Sequence, residues 1–245
     1  MRGPWIRLIL LAGFLAGNAA IAQTVHQVTP VAQSAGAYIV FKFDWPQGRP
    51  WIRYTISVDD SGSAHFEGVG SPEDSGDGDS YALDFAISDA GREKIFNLAK
   101  QTEFFRGNFE TKQKNIAQTG QKTLEYHERS PNGDKSVATS ATYNYSPNTD
   151  IQELTREFQG IATTVDFGRK LAFDYRFDKL GMDARLRSLQ ELQASHFAEE
   201  LQAIEPILKK IANDPNMMHI SRLAAKQLLK SIGPTAPVSQ PSAQP

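Results

Sequence analysis

The chain has 245 residues, 40% of them hydrophobic and 10% aromatic, with 26 Lys and Arg against 28 Asp and Glu for a formal charge of −2. That is chain enough for a hydrophobic core of its own, and too little positive charge for a general nucleic-acid binder, whose footprint is a basic domain. With no Cys at all, disulfides, thiolate zinc sites, thiol nucleophiles and a lipid-attachment signal are excluded together.

Residues 1–22 have the three parts of a secretory signal: Arg2 and Arg7, an apolar run from Leu8 to Gly17, and a small-residue ending at Ala20-Ile21-Ala22. The pattern predicts cleavage between Ala22 and Gln23. A membrane-spanning helix needs about 20 apolar residues and this run reaches only about 15 even when stretched to Ala22, so a cleaved signal is expected rather than an anchor. Its loss removes two arginines and no acid, which takes the formal charge from −2 to −4. The protein is therefore expected outside the cytoplasm, periplasmic or extracellular. No later run is apolar enough to predict a further transmembrane segment. Residues 23–35, Gln-rich and broken by Pro30, read as a flexible lead.

From residue 36 to 148 the period is that of strands. Tyr38 to Phe43 is a β-branched and aromatic run ended by Pro46-Gln47-Gly48-Arg49-Pro50, which is turn chemistry. Ile52, Tyr54, Ile56 and Val58 then alternate with polar residues, Asp59-Asp60-Ser61-Gly62 makes a hairpin turn into Ala64 to Gly68, and Tyr81, Leu83, Phe85 and Ile87 alternate again. Ser88 stands as the N-cap of a helix carrying Ile95, Leu98 and Ala99 and ending near Phe104 and Phe105. A second hairpin pairs Thr123 to Glu128 with Ser136 to Ser140 around Pro131-Asn132-Gly133-Asp134.

Residues 149–232 change to a helical period. Asp150 is the expected N-cap of a long helix whose stripe is Ile151, Leu154, Phe158, Ile161 and Val165. Leu171, Phe173, Tyr175 and Phe177 alternate as in a strand, but their flanks make the stretch helical, with the rings fixing it to the sheet and Arg169, Lys170 and Arg176 in water. After a break at Gly181 and Asp183, one amphipathic element is expected from Leu186 through Phe197 to Ile204. Pro206 restarts it, Asp214-Pro215 breaks the chain, and Met218 to Ile232 supply a last helix. Residues 233–245, rich in Pro and small residues, read as a disordered tail.

Linear motifs for phosphate loops, dinucleotide folds, serine hydrolases and zinc proteases are missing, so no cofactor is expected. One constellation has chemical potential. His65 and Glu67 share a face of one strand, and Glu125 and His127 share a face of another, each set at i and i+2. Were the strands neighbours, two imidazoles and two carboxylates would converge as a metal or acid–base site. The competing reading points Ala64, Phe66, Leu124 and Tyr126 inward and leaves the four on a solvated face. Glu73-Asp74-Ser75-Gly76-Asp77-Gly78-Asp79 offers oxygen ligands of the kind calcium takes, though it does not follow the EF-hand spacing. Lys209, Lys210, Arg222, Lys226 and Lys230, interleaved with apolar residues, read as either a surface helix or a contact with an anionic envelope surface.

The segments "WIRYTISVDDSGSAHFEG", "FAISDAGREKIFNLAKQTEFF" and "KTLEYHERSPNGDKSV", followed by "FGRKLAFDYRFDKLGMDARL" and "LQAIEPILKKIANDP", resemble a family of exported bacterial α+β proteins without an assigned activity. The resemblance implies export and an α+β body, and it transfers no catalytic or binding residue. Together these readings predict an antiparallel sheet with one packed helix, followed by a helical C-terminal region. The expected function is a non-catalytic binding or envelope-associated module for a protein, peptide or glycan. The alternatives are a metal-assisted enzyme without a linear motif, and a structural homo-oligomer that associates through the C-terminal helices.

Overall fold

The computed structural model describes residues 36–71, 80–129 and 136–232. The signal segment and its cleavage point, the lead, the acidic stretch 73–79, the turn at 131–134 and the C-terminal tail lie outside the described residues. In chain order the strands are β1 (Tyr38–Asp44), β2 (Trp51–Asp59), β3 (Ser63–Gly70) and β4 (Ser80–Ala86), then helix α1 (Asp89–Gln101) with a 3₁₀ turn at Glu103–Phe105, then β5 (Gln121–Arg129) and β6 (Ser136–Tyr143). Four helices follow: α2 (Thr149–Phe177), α3 (Met182–Ala194), α4 (Glu205–Asn213) after a 3₁₀ turn at Leu201–Ile204, and α5 (His219–Ser231).

The six strands form one antiparallel sheet in the order β4-β3-β2-β1-β5-β6. Period-2 alternation divides its two faces. Ile39, Phe41, Tyr54, Ile56, Phe66 and Leu124 are buried on one side, while Lys42, Arg53, Glu67 and Asp84 point out on the other. The β2–β3 hairpin is closed by Asp59, whose carboxylate accepts from the amides of Ser61 at 3.0 Å and Ser63 at 2.9 Å. Gly62 takes the positive φ of +88° that the turn requires. Ser88 caps α1 as its hydroxyl accepts from the Gly91 amide at 3.0 Å.

The helices cover the apolar face. Phe158 of α2 stacks on Phe41 with centroids 5.1 Å apart, and the Trp51 indole donates to the Ala162 carbonyl at 3.3 Å. One core cluster runs from these sheet residues through Ile161 and Val165 to Leu186, Leu208 and Leu228, so the C-terminal helices dock on the sheet rather than extend from it.

Three sequence expectations are corrected. The cap of α2 is Asn148, which accepts from the amides of Asp150 and Ile151 at 2.9 and 3.0 Å; Asp150 lies inside the first turn, where its charge favours the helix dipole. The element expected from Leu186 to Ile204 is two pieces, because α3 stops at Ala194 and the chain turns through left-handed His196 and Glu200, at φ 58° and 56°, leaving Phe197 exposed. The stretch 171–177 is helical as expected, but Phe173 and Phe177 face solvent instead of the sheet.

Candidate functional site

The outer face of the sheet carries no covering element among the described residues, and it holds all four donors named from the sequence. Ala64, Phe66, Leu124 and Tyr126 are buried, so His65, Glu67, Glu125 and His127 stand on the open side. The fold splits them into two pairs. Between β3 and β5 lie β2 and β1, which puts the pairs about 14 Å apart at the usual strand spacing. The convergence that a four-ligand site needs is not formed, and no group of three such side chains gathers as a cation site among the described residues.

His65 on β3, and Glu125 with His127 on β5, instead join local polar networks. On β3, His65 Nδ1 lies 2.6 Å from Asp84 Oδ1 of the facing residue on β4. On β5, Glu125 accepts from Lys42 Nζ at 2.6 Å and lies 3.1 Å from His127 Nε2, and the His127 ring stacks on Tyr38 at 4.6 Å. Partial burial pushes the Glu125 carboxyl up, but the hydrogen bonds and charges of Lys42 and His127 outweigh it and hold Glu125 below the usual carboxylate range. Lys42 bonds diagonally, since its direct partner across the β1–β5 ladder is Thr123.

Between the two networks lies a cleft of about 400 Å³. Its walls are Lys42, Asp44, Arg53, Glu67 and Gln121, and the short Thr55 and Thr123 form its floor. The register explains the set. Arg53 pairs with Asp44 and Thr55 with Lys42 across β1–β2, Glu67 faces Thr55 across β2–β3, and Asp44 faces Gln121 across β1–β5. Two cations, two carboxylates, an amide and two hydroxyls thus line one depression of the size small ligands occupy. Of these only Glu67 was singled out from the sequence. Alternation places Lys42, Asp44, Arg53 and Thr55 on an outer face, but the β1–β5 pairing that brings Gln121 and Thr123 beside them joins segments some eighty residues apart.

A second cavity, of about 370 Å³, opens at the N-terminus of α1. There Glu200 accepts from the Ser88 amide at 2.7 Å and the Ser88 hydroxyl at 2.9 Å, and Gln202 also bonds it. Burial pushes the Glu200 carboxyl up to about 7, the Ser88 bonds opposing and the neighbouring Glu157 and Glu199 charges adding to the rise. Glu157, buried on α2, is held by Lys94 at 2.7 Å, and burial raises its carboxyl too, against the pull of Lys94. A side chain at Gly91 would collide with the Glu200 carboxylate. These bonds tie the segment after α3 to the start of α1, so Glu200 acts as a long-range helix cap. Nothing in the sequence pattern announced it.

No protein-family model matches the chain, and neither a curated protein nor a solved structure matches it.

Proposed function

We propose that the chain is an exported, non-catalytic binding protein, and that the open face of its sheet takes a glycan. The observation that carries the reading is the 400 Å³ cleft, whose walls present donors and acceptors of both charges on adjacent strands. A polyhydroxylated ligand both donates and accepts at each hydroxyl, so it can satisfy Lys42 and Arg53 as readily as Asp44 and Glu67. An extended peptide bound on its side chains would call for apolar pockets, and the cleft is lined mainly by charged and polar side chains instead. Antiparallel strands hydrogen-bonded along both edges pair the side chains in fixed register, so the groups are held in place before any ligand arrives, which lowers the entropic cost of binding.

Export and a periplasmic or extracellular setting are part of the proposal, supported by the Arg-flanked apolar start and its Ala20-Ile21-Ala22 ending. The metal-assisted reading loses its support, because the two His–carboxylate pairs do not meet.

The test is a screen of the purified protein against glycan and peptide arrays, followed by calorimetry with the strongest glycan. Arg53→Ala and Glu67→Gln should each weaken that glycan by about 1–3 kcal/mol, the cost of an unpaired polar partner, with the melting temperature unchanged. Binding confined to peptides, or glycan binding indifferent to both substitutions, would overturn the proposal.

A further inference from the structure

We infer that the far end of the helical layer is a docking site for an anionic membrane surface. The inference rests on a different part of the molecule from the cleft. The Arg169 guanidinium of α2 lies 5.2 Å from the Trp51 ring of β2, and beyond it Leu171 and Asp174 are still buried. From Arg169 α2 continues to Phe177, about 12 Å at 1.5 Å per residue.

Two helix turns meet at that end. The Tyr175 hydroxyl donates to Asp214 at 2.7 Å and the Lys210 ammonium sits 4.5 Å from the Tyr175 ring, so the α2–α3 turn and the α4–α5 turn lie side by side. The end they form collects most of the large apolar side chains that the described residues expose. Phe173, Phe177 and Leu180 are 60%, 72% and 82% exposed, and Met218, Ile220 and Leu223 are exposed at the start of α5. Phe173 and Phe177 touch each other, with centroids 4.9 Å apart, and neither rests on the core.

Cations are interleaved with these side chains. Arg176 and Lys179 are exposed beside Phe177 and Leu180 with Asp178 between them, and on the adjoining α4 Lys210 is exposed and Lys209 pairs with Glu205 at 2.9 Å. This mixture selects the partner. Protein–protein contact surfaces are depleted in Lys, whereas amphipathic elements that lie on membranes combine Phe and Leu with Lys and Arg around them. Long cationic side chains reach anionic headgroups while the rings enter the acyl boundary. The geometry is that of contact and not of insertion, since no helix among the described residues is long and apolar enough to cross a membrane. The end is built of exposed helix turns, a form that suits a yielding bilayer better than a rigid groove.

The experiment is sedimentation of the purified protein with vesicles of phosphatidylethanolamine and phosphatidylglycerol, and with vesicles of phosphatidylcholine alone. The protein should sediment with the anionic vesicles, release on raising salt, and stay in solution with phosphatidylcholine. The combined variant Phe173→Ser, Phe177→Ser and Leu180→Ser should lose at least roughly tenfold in affinity and keep its melting temperature, as should Arg176→Glu with Lys179→Glu. A Phe177→Trp probe should shift its emission to the blue on the anionic vesicles. The inference is overturned if the protein ignores anionic vesicles, if either combined variant binds as well as the parent, or if light scattering shows that the same apolar residues instead hold two copies together. None of these results touches the cleft, whose ligand is read separately.

Discussion

At the scale of single residues, Glu200 is the carboxyl among the described residues whose chemistry is moved furthest from its value in water. Its folded carboxyl titrates near 7 because burial disfavours the charge, while the unfolded chain titrates near 4.5. The folded state therefore holds the proton more tightly, and the stabilisation is complete below about 4.5 and lost as pH rises to about 7. Urea unfolding across that range should show stability falling by roughly 3 kcal/mol from this group. Glu200→Gln, which cannot ionise, should flatten most of the slope, and the remainder belongs to Glu157, whose burial moves it the same way. A second residue-scale prediction concerns Asn148. Its side chain satisfies two amides at the start of α2, so Asn148→Ala should cost about 1 kcal/mol by the same measurement. Asp150→Ala should cost less, because Asp150 contributes only charge near the dipole.

At the scale of elements, the strands and most helix positions were legible because their signals are local. Alternation from Tyr54 to Val58 fixes both the strand and its buried face, whereas the register shift between Trp51 and Arg53 buries Trp51 and leaves Ile52 half-buried; Ser88 names the start of α1 through a bond three residues away. The misread positions share a physical cause. Phe173 and Phe177 look like core residues by hydropathy, yet they lie on the solvent side of a stretch whose Leu171 and Asp174 are the buried residues. His196 and Glu200 adopt left-handed conformations that no residue-type rule foretells, since the bonds from Ser88 and the packing after α3 hold them there. Phe158 supplies the direct test of how α2 is docked. It is wholly buried and stacked on Phe41, so Phe158→Ala should destabilise by about 3–5 kcal/mol in urea unfolding. Phe173→Ala should change stability by less than about 0.5 kcal/mol.

At the scale of the whole molecule, the fold class followed from the change of period near residue 148, but the candidate site did not. The cleft exists because β1 pairs with both β2 and β5, which inserts the second hairpin beside the first and sets Gln121 and Thr123 against Asp44 and Lys42. That same pairing separates His65 and Glu67 from Glu125 and His127, so one topological fact created the site and removed the metal constellation. The sheet and the helices share one core from Ile39 to Leu228. Residues 36–232 should accordingly unfold in one cooperative step, with far-ultraviolet and aromatic signals coincident. The described residues present one polar sheet face, where the glycan is proposed to bind, and an end of exposed apolar and cationic side chains, where the bilayer contact is proposed.

The central claim is that the polar face of the sheet is the binding surface, and amide chemical shifts measured while the strongest glycan from the array is titrated test it most directly. Shifts should concentrate at Lys42, Asp44, Arg53, Thr55, Glu67, Gln121 and Thr123, and Arg53→Ala should move the titration to higher glycan concentration by the same about 1–3 kcal/mol. Shifts centred on Ser88 and Glu200, or confined to the exposed helix turns, would contradict it.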